Sequence, residues 1–137
     1  MSMLTENDVV LAVSDFLKSE GYSIEHALNT SQQGIDIEAT SSNGTRCFVE
    51  AKGATSSQEG SKRYGQEFNN NQIKTHIGMA LLKLFQTLQL HPSSEVIIAL
   101  LGNAGHRKVL DSMLTPIKDS GIKVFLINGN TAVQKYI

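Results

Sequence analysis

The order of helical and extended patterns along this 137-residue chain predicts an α/β fold, in which helices flank a mixed sheet. Two amphipathic stretches, residues 5–20 and 71–90, have the apolar spacing of helices and enclose three shorter strand-like segments. Residues 95–101 and 122–127 are continuous apolar runs, which are typical of strands covered on both faces. The helical pattern between these runs implies a parallel crossover. The predicted order is an α-β-β-β-α-β core followed by a C-terminal helix-strand extension.

The first helix has sequence signals at both of its ends. Thr5 and Asp8 form a capping-box pattern at the start, and Gly21 is a suitable C′ residue after the end. Residues 22–29, which follow, alternate loosely and are interpreted as the first strand.

The last predicted helix, near residues 106–119, contains Pro116. Proline lacks a backbone N–H and clashes with the preceding turn, so we expect it to kink or shorten this helix. After the final strand, a turn at Gly129 is expected to lead into a short tail.

The centre of the chain is a predicted hairpin, formed by residues 34–38 and 45–53 around a Ser-Ser-Asn-Gly turn. Folding it about residues 42–44 places Asp36 opposite Glu50, to within one residue. Alternate residues of a strand share a face. The predicted faces are Asp36 and Glu38 against Ile35 and Ile37 on the first strand, and Phe48, Glu50 and Lys52 against Cys47, Val49 and Ala51 on the second.

This hairpin brings two carboxylates, those of Asp36 and Glu50, and the ammonium group of Lys52 beside an apolar layer. Half-buried like charges repel each other unless a cation neutralises them. Two carboxylates with waters and a substrate phosphate are typical Mg²⁺ ligands, and the main-chain carbonyl of Ala51 is a further candidate. Lys52 would then orient or deprotonate a water, or balance phosphate charge. The alternative is an exposed face on which Glu50 and Lys52 are solvated, since Glu-x-Lys is a common tripeptide.

The same residues resemble the signature of the PD-(D/E)XK nuclease superfamily, an Asp in a second strand followed by (D/E)-x-K in a third. Asp36, Glu50 and Lys52 match its three motif positions, with Ile35 in place of the proline before the Asp. The Gly-Ile-Asp triplet ending at Asp36 is most similar to the version in Mrr-type restriction endonucleases and archaeal Holliday-junction resolvases. The predicted element order over residues 5–101 agrees with the restriction-endonuclease-like core of that superfamily.

The resemblance implies a metal-dependent endonuclease in which Asp36 and Glu50 bind Mg²⁺, or Mn²⁺, and Lys52 activates water. In the resembling families the first helix often carries a Glu, and the corresponding position here falls near Val10, which is apolar. Glu6 lies one turn earlier and is a candidate substitute. It is equally a first-turn acid of the kind that the helix dipole favours.

Further candidates lie on the helix 71–90. Gln72 opens this helix, and a Gln there resembles an additional motif of several families in the superfamily, where it positions metal-bound water or the lysine. Lys74 is a candidate phosphate contact. Gln72 shares a helix face with His76 and Lys83, and a histidine on a helix surface usually has no ligand role.

Residues 53–71 contain almost no aliphatic side chains and predict a long polar loop, which is rare in a compact domain unless it is functional or disordered. Its small basic-aromatic cluster, Lys62, Arg63 and Tyr64, suits nucleic acid, because two cations hold phosphates while a ring stacks on a base or sugar. The position of the loop after the Lys52 strand favours a segment that grips substrate. The alternative is a mobile solvent loop.

Composition, charge and length argue for some classes of protein and against others. The net charge of −1 argues against a strong non-specific DNA binder, although acidic site residues lower the net charge of a nuclease as well. The chain has no apolar run of membrane-spanning length and no signal-peptide pattern at its start, so neither is expected. The single Cys47 is interpreted as a core residue, which suits a reducing cytoplasm. The length predicts one domain over residues 1–137.

These observations lead to a metal-dependent endonuclease hypothesis, with DNA as the expected substrate and a restriction-like or junction-resolving role. A site this small cuts one strand at a time, so a homodimer is expected. Specificity would come from the polar loop or from a partner protein. The alternatives are a non-catalytic nucleic-acid-binding or protein-interaction module that retains the nuclease fold, and an enzyme of this fold with a substrate other than long nucleic acid.

Overall fold

The computed structural model describes residues 4–27, 34–53 and 69–137. Within them the chain forms an α/β fold whose six-stranded mixed sheet is flanked by helices, as predicted. The elements in chain order are α1 (Glu6–Ser19), β1 (Ser23–Ala27), β2 (Ile37–Thr40), β3 (Arg46–Lys52), α2 (Asn70–Leu90), β4 (Glu95–Leu101), α3 (Ala104–Asp111), α4 (Leu114–Asp119), β5 (Lys123–Ile127) and β6 (Val133–Lys135).

The strands lie in the sheet in the order in which they occur in the chain. β1, β2 and β3 form an antiparallel meander, β3, β4 and β5 run parallel, and β6 returns antiparallel to β5. Parallel neighbours need crossover connections, which α2 supplies between β3 and β4, and α3 with α4 supply between β4 and β5. The predicted crossover is therefore confirmed.

The tail prediction was wrong, because β6 pairs with β5 over Val133–Lys135. Three residues are too few to show a period-two pattern, so only the neighbouring strand reveals this one. The expected strand at 22–29 is confirmed over Ser23–Ala27, and residues 28 and 29 lie outside the described ranges.

Each face of the sheet carries its own apolar core, since side chains alternate along the central strands. α1 covers the first core, and α2 with α3 and α4 covers the second. The first core includes Val9, Val13, Leu17, Ile37, Cys47, Val49, Ala51, Ile97 and Phe125, and the second includes Phe48, Ile73, Ile77, Leu84, Ile98, Leu110 and Leu126. The predicted faces of β3, the two-sided cover of β4 and the core position of Cys47 are confirmed.

The first two helices begin with capping boxes, and that of α1 is the predicted one. Thr5 and Asp8 form the capping box of α1, and Gly21 beyond its end has a positive φ of 92°. Asn69 caps α2, whose capping box is completed by Gln72. The long helices are therefore placed by signals that lie within a few residues of their own ends.

The last helix is divided into α3 and α4, and the break lies before Pro116 at Ser112 and Met113. A continuous helix would need a hydrogen bond from residue 116 to the Ser112 carbonyl, which proline lacks the N–H to make. Pro116 instead lies in the first turn of α4, where no such bond is required. Among the described helices, none combines the length and apolar character needed to cross a bilayer.

Candidate active site

The hairpin register brings Asp36 and Glu50 together at one end of β3. Ile37 pairs with Val49, so the next pair along the ladder is Asp36 with Glu50, as the sequence predicts. Asp36 lies one residue before β2, and its Oδ2 atom accepts a hydrogen bond of 2.8 Å from the backbone N–H of Ala51. The Asp36 carboxylate thus provides an acceptor for a β3 backbone N–H that lies beyond the end of the β2 ladder. This bond holds the carboxylate against β3.

One part of the predicted alternation was wrong. Ile35 was expected on the face of Ile37, but Ile37 belongs to the core under α1 and Ile35 packs against the core under α2. The strand β2 begins only at Ile37, and Gly34 before it has a φ of 112°. A backbone that turns at Gly34 does not keep the period of two, so the alternation cannot be extended back to residue 35.

Glu50 is the buried acid of the site, with 1% of its surface exposed. Its Oε1 atom has no hydrogen-bond partner among the described residues. Burial and the neighbouring Asp36 carboxylate raise the pKa of Glu50 to about 8. Burial also raises the pKa of Asp36, against the opposing effects of the Ala51 N–H and the nearby lysines. An exposed, solvated hairpin face therefore does not describe Glu50.

Lys52 and Glu6 form the second part of the site. The Lys52 Nζ atom lies 3.4 Å from the Glu6 Oε1 atom, and each side chain is about one-fifth exposed. Burial raises the pKa of Glu6, with a further contribution from Asp36, while Lys52 opposes the rise. Glu6, for which the sequence left two interpretations open, is both a first-turn residue of α1 and a direct neighbour of Lys52.

A glycine allows the start of α1 to approach β3 this closely. A Cβ atom on Gly53 would lie 2.4 Å from the Thr5 carbonyl carbon and 2.5 Å from the Glu6 nitrogen. No side chain fits in that space, so the helix N-terminus rests directly on the backbone that follows Lys52. Val10, at the position where the resembling families often have a Glu, is instead buried in the first core.

Lys83 is a site residue to which the sequence assigned no role. From α2 its Nζ atom lies 3.7 Å from the Glu50 Oε1 atom and donates a hydrogen bond of 3.2 Å to the Gly34 carbonyl. Its side chain is 49% exposed, so the ammonium group borders both the buried acid and solvent. Lys83 lies seven residues, or about two helical turns, after His76. This spacing, which puts the two on one helix face, was the sequence signal available for Lys83.

Gln72 and Lys74 have other contacts in this structure. The Gln72 carboxamide oxygen accepts a hydrogen bond of 2.9 Å from the Asn69 N–H in the capping box. Lys74 is exposed and lines a groove between α2 and α3. Their predicted roles in catalysis and phosphate binding stay predictions. The predicted basic-aromatic cluster, Lys62, Arg63 and Tyr64, lies outside the described residues.

Two histidines lie on the helices that cover the second core, where His76 is half-buried and His106 is buried. Burial lowers the pKa of His76, and electrostatic interactions with Lys52 and His106 lower it further. His106 is 1% exposed, and its Nδ1 atom donates a hydrogen bond of 2.7 Å to the Leu101 carbonyl. The sequence predicted a core-facing helix in this region without identifying His106 as buried, because a lone histidine has no distinctive spacing.

The residue types suit a hard divalent cation that keeps most of its waters. No group of three His, Cys, Asp or Glu side chains within the described ranges converges as a metal-binding cluster. The two adjacent acids nevertheless fit Mg²⁺, as does the Glu50 Oε1 atom, which accepts no hydrogen bond from the described residues. Mg²⁺ commonly binds one or two carboxylates together with waters and phosphate. Burial and repulsion from Asp36 raise the pKa of Glu50, and a dication bound between the two acids would offset both effects.

Comparison of the chain with protein-family models, with curated proteins and with solved structures gave no match. The likeness to PD-(D/E)XK nucleases therefore depends on the three motif residues, their placement and the element order alone.

Proposed function

We propose that this protein is a metal-dependent nuclease that hydrolyses phosphodiester bonds in DNA, with its active site at the end of β3. The observation that carries the proposal is Glu50, a nearly inaccessible carboxyl beside a second carboxyl, whose Oε1 atom accepts no hydrogen bond from the described residues. Burying such a pair costs free energy that core packing does not require, so we infer a functional use. The restriction-endonuclease-like fold is part of the proposal, supported by the order α1, β1, β2, β3, α2, β4.

Asp36 and Glu50 would hold Mg²⁺, or Mn²⁺, with the Ala51 carbonyl as a third candidate ligand. When bound, the ion would stabilise negative charge on the phosphate and lower the pKa of an attacking water. The Ala51 N–H keeps the Asp36 carboxylate in place through its 2.8 Å hydrogen bond. The role of Ala51 is thus a backbone role, which any residue with an N–H and a small side chain can fill.

The two lysines supply positive charge on either side of the acids. Glu6 holds the Lys52 ammonium group, which would donate to a phosphate oxygen or orient the water. Lys83 reaches Glu50 from α2 and is half exposed, which supports a role in which it would contact a phosphate of the approaching strand. The positive charges of Lys52 and Lys83 would offset the net negative charge of the chain at the place where substrate binds.

A second candidate is a non-catalytic module that retains the nuclease fold and binds nucleic acid or protein. The capping role of Gln72 and the buried, apolar Val10 favour it, since both positions support catalysis in the resembling families. Such a module has no use for the Glu50 and Asp36 pair, and a variant that neutralises Glu50 should not impair it.

Cleavage of labelled duplex, single-stranded and four-way-junction DNA with Mg²⁺, Mn²⁺ or chelator tests the proposal. We expect metal-dependent cutting by the wild type that is lost in Glu50→Gln and Lys52→Met. Glu38→Gln is the matched control, because Glu38 lies on the same hairpin but is paired with Arg46. Absence of cutting on every substrate, together with absence of Mg²⁺ binding by calorimetry, would refute the proposal and favour the module.

A further inference from the structure

A groove of about 440 Å³ lies between α2 and α3 and opens to solvent. This volume is within the range of about 300 to 1,000 Å³ that is usual for small-molecule sites. The groove shares no residue with the acid and lysine cluster at the end of β3, so that cluster does not explain it. Its principal lining residues are Lys74, Gly78 and Leu81 of α2, Lys108 and Val109 of α3, and Met113 after α3.

The groove has a charged end and an apolar end, because α2 and α3 both connect parallel strands and run in the same direction. A Cβ atom on Gly105, the second residue of α3, would lie 2.7 Å from the Ile73 Cδ1 atom, so the two helices start side by side. Lys74 and Lys108 are each the fifth residue of their helix, and helical side chains lean towards the N-terminus. Their ammonium groups therefore lie towards one end of the groove, and the apolar lining residues follow.

The charged end of the groove is cationic. Neither Lys74 nor Lys108 forms an ion pair with another described residue, and none of the lining residues is acidic. Asp111, the acid of α3, accepts a hydrogen bond of 2.8 Å from the Tyr136 hydroxyl. An anionic group at this end would find two ammonium donors and no acid among the residues that line it.

Gly78 keeps the groove open between its two ends. Glycine in the interior of a helix is destabilising relative to alanine, so its presence in α2 needs a reason. A Cβ atom there would meet no other heavy atom within 4 Å in the described structure, so the packing of the fold does not require glycine. A larger side chain would instead project into the groove. Gly78 therefore provides free space rather than a close contact within the fold.

We propose that this groove binds a single-chain amphiphilic anion of the fatty-acid class. The carboxylate would accept hydrogen bonds from the ammonium groups of Lys74 and Lys108. The alkyl chain would run over Gly78 and cover the apolar side chains beyond it, which removes their surface and its own from water. This ligand site does not rest on the proposed nuclease function.

The dimensions of the groove favour an alkyl chain over a peptide segment. Lys74 and Leu81 are seven residues apart, or about 10 Å along α2, so a volume of about 440 Å³ leaves a mean cross-section of roughly 40 Å². A peptide helix is about 10 to 12 Å across and needs about twice that area. An extended peptide would bring backbone N–H and C=O groups against apolar side chains, which do not satisfy them. An alkyl chain has no polar groups to satisfy.

Calorimetric titration of the full chain with octanoate, decanoate and dodecanoate, each below its micellar concentration, tests the proposal. We expect one site, with a Kd of about 100 μM or below for decanoate. Affinity should rise about twofold to fourfold for each added methylene until the chain outgrows the groove. Decanol and decylammonium carry the same tail without the negative charge, and they should bind at least about tenfold more weakly.

Variants of the lining residues locate the ligand. Gly78→Leu should weaken decanoate binding at least about tenfold, because its side chain fills the groove. Lys108→Gln should weaken it about fivefold, through loss of one charge-assisted contact, and should leave decanol binding unchanged. Lys108 is exposed, so this variant tests the site even where Gly78→Leu does not fold. Far-UV circular dichroism shows which variants are folded.

Two matched controls lie outside the groove. Leu82 is 57% exposed on the outer face of α2, and Lys118 is exposed on α4. Leu82→Ala removes an apolar side chain from the same helix, and Lys118→Gln removes an ammonium group from a neighbouring one. Both should bind decanoate like the wild type.

Three results would overturn the proposal. Failure of all three alkanoates to bind would show that the groove takes no such ligand. Equal affinity for decanoate and decanol would show that the lysines have no part in recognition. Decanoate binding that is unchanged in both Gly78→Leu and Lys108→Gln, or that is lost in Leu82→Ala, would place the ligand elsewhere. Lys52→Met should bind decanoate like the wild type, so failure of the nuclease proposal and failure of this one are distinguishable.

Discussion

Two glutamates on neighbouring parallel strands differ in how the structure satisfies them. Glu95, at the start of β4, accepts a hydrogen bond of 2.5 Å from the Tyr22 hydroxyl and is ion-paired with Lys123. Burial alone would raise its pKa, but the hydrogen bonds from Lys123 and Tyr22 lower it. Glu50, near the end of β3, accepts no hydrogen bond at its Oε1 atom from the described residues and has a pKa raised to about 8. Glu95 thus stabilises the fold through its bonds, whereas Glu50 is buried in an environment that disfavours its ionised form.

The largest difference is expected in activity. Glu50→Gln should lower DNA cleavage by about 10³-fold or more, because a neutral amide removes a metal ligand and several kcal/mol of transition-state stabilisation. Glu95→Gln, the same change at the other glutamate, should leave the rate within about threefold of the wild type. Single-turnover cleavage with saturating Mg²⁺ measures both. Equal losses in the two variants would mean that Glu50 has no special role.

The second prediction concerns pH. Folded Glu50 keeps its proton up to about pH 8, whereas an unfolded Glu releases it near 4.5, so the stabilisation is complete below 4.5 and is lost as the pH rises through 8. Without metal, the free energy of unfolding should fall by up to about 1.4 kcal/mol per pH unit in this window. Urea unfolding in chelator at several pH values measures it. Glu50→Gln should flatten the slope, while Glu95→Gln should not.

The third prediction concerns stability, on which Glu95→Gln should have a larger effect than Glu50→Gln. Glu95→Gln should destabilise the protein by about 1 to 3 kcal/mol at pH 7, because it weakens the bonds to Tyr22 and Lys123. Glu50→Gln should cost nothing or stabilise, because at pH 7 the folded protein must keep a proton on the buried Glu50 carboxyl, whereas the neutral amide needs none. Urea midpoints at constant m-value test this. A destabilised Glu50→Gln would show that Glu50 is a structural acid like Glu95.

The smallest effect is expected at the lysines that face these acids. Lys83→Met should lower cleavage about tenfold, through loss of one charge-assisted contact, with little change in stability because Lys83 is half exposed. Lys123→Met is its counterpart at Glu95 and should leave cleavage unchanged. Cleavage rates of Lys83→Met and Lys123→Met, measured beside Lys83→Arg as the charge-conserving variant, test this prediction. Full activity in Lys83→Met would remove Lys83 from the site.

The site was predictable from the sequence where its residues are close in the chain. Asp36 and Glu50 belong to one hairpin, and the turn between them sets the register that brings them together. The approach of Lys83 to Glu50 and of Glu6 to Lys52 depends on how α2 and α1 pack on the sheet, so the sequence offered Glu6 only as one of two interpretations and gave Lys83 no role. Ile35 was misplaced for a related reason, since a turn at Gly34 interrupts the alternation that a local pattern assumes.

Apart from β6, the sequence by itself determined the elements, the capping box of α1 and which residues of β3 face which core, because these depend on periods of two and 3.6 residues and on neighbouring side chains. Tertiary structure alone decided that Glu50 is closed off from water, that Gly53 receives the start of α1, and that α2 keeps an apolar outer face. Burial and pKa depend on which distant groups come together, and contacts between distant elements are not written in any local pattern.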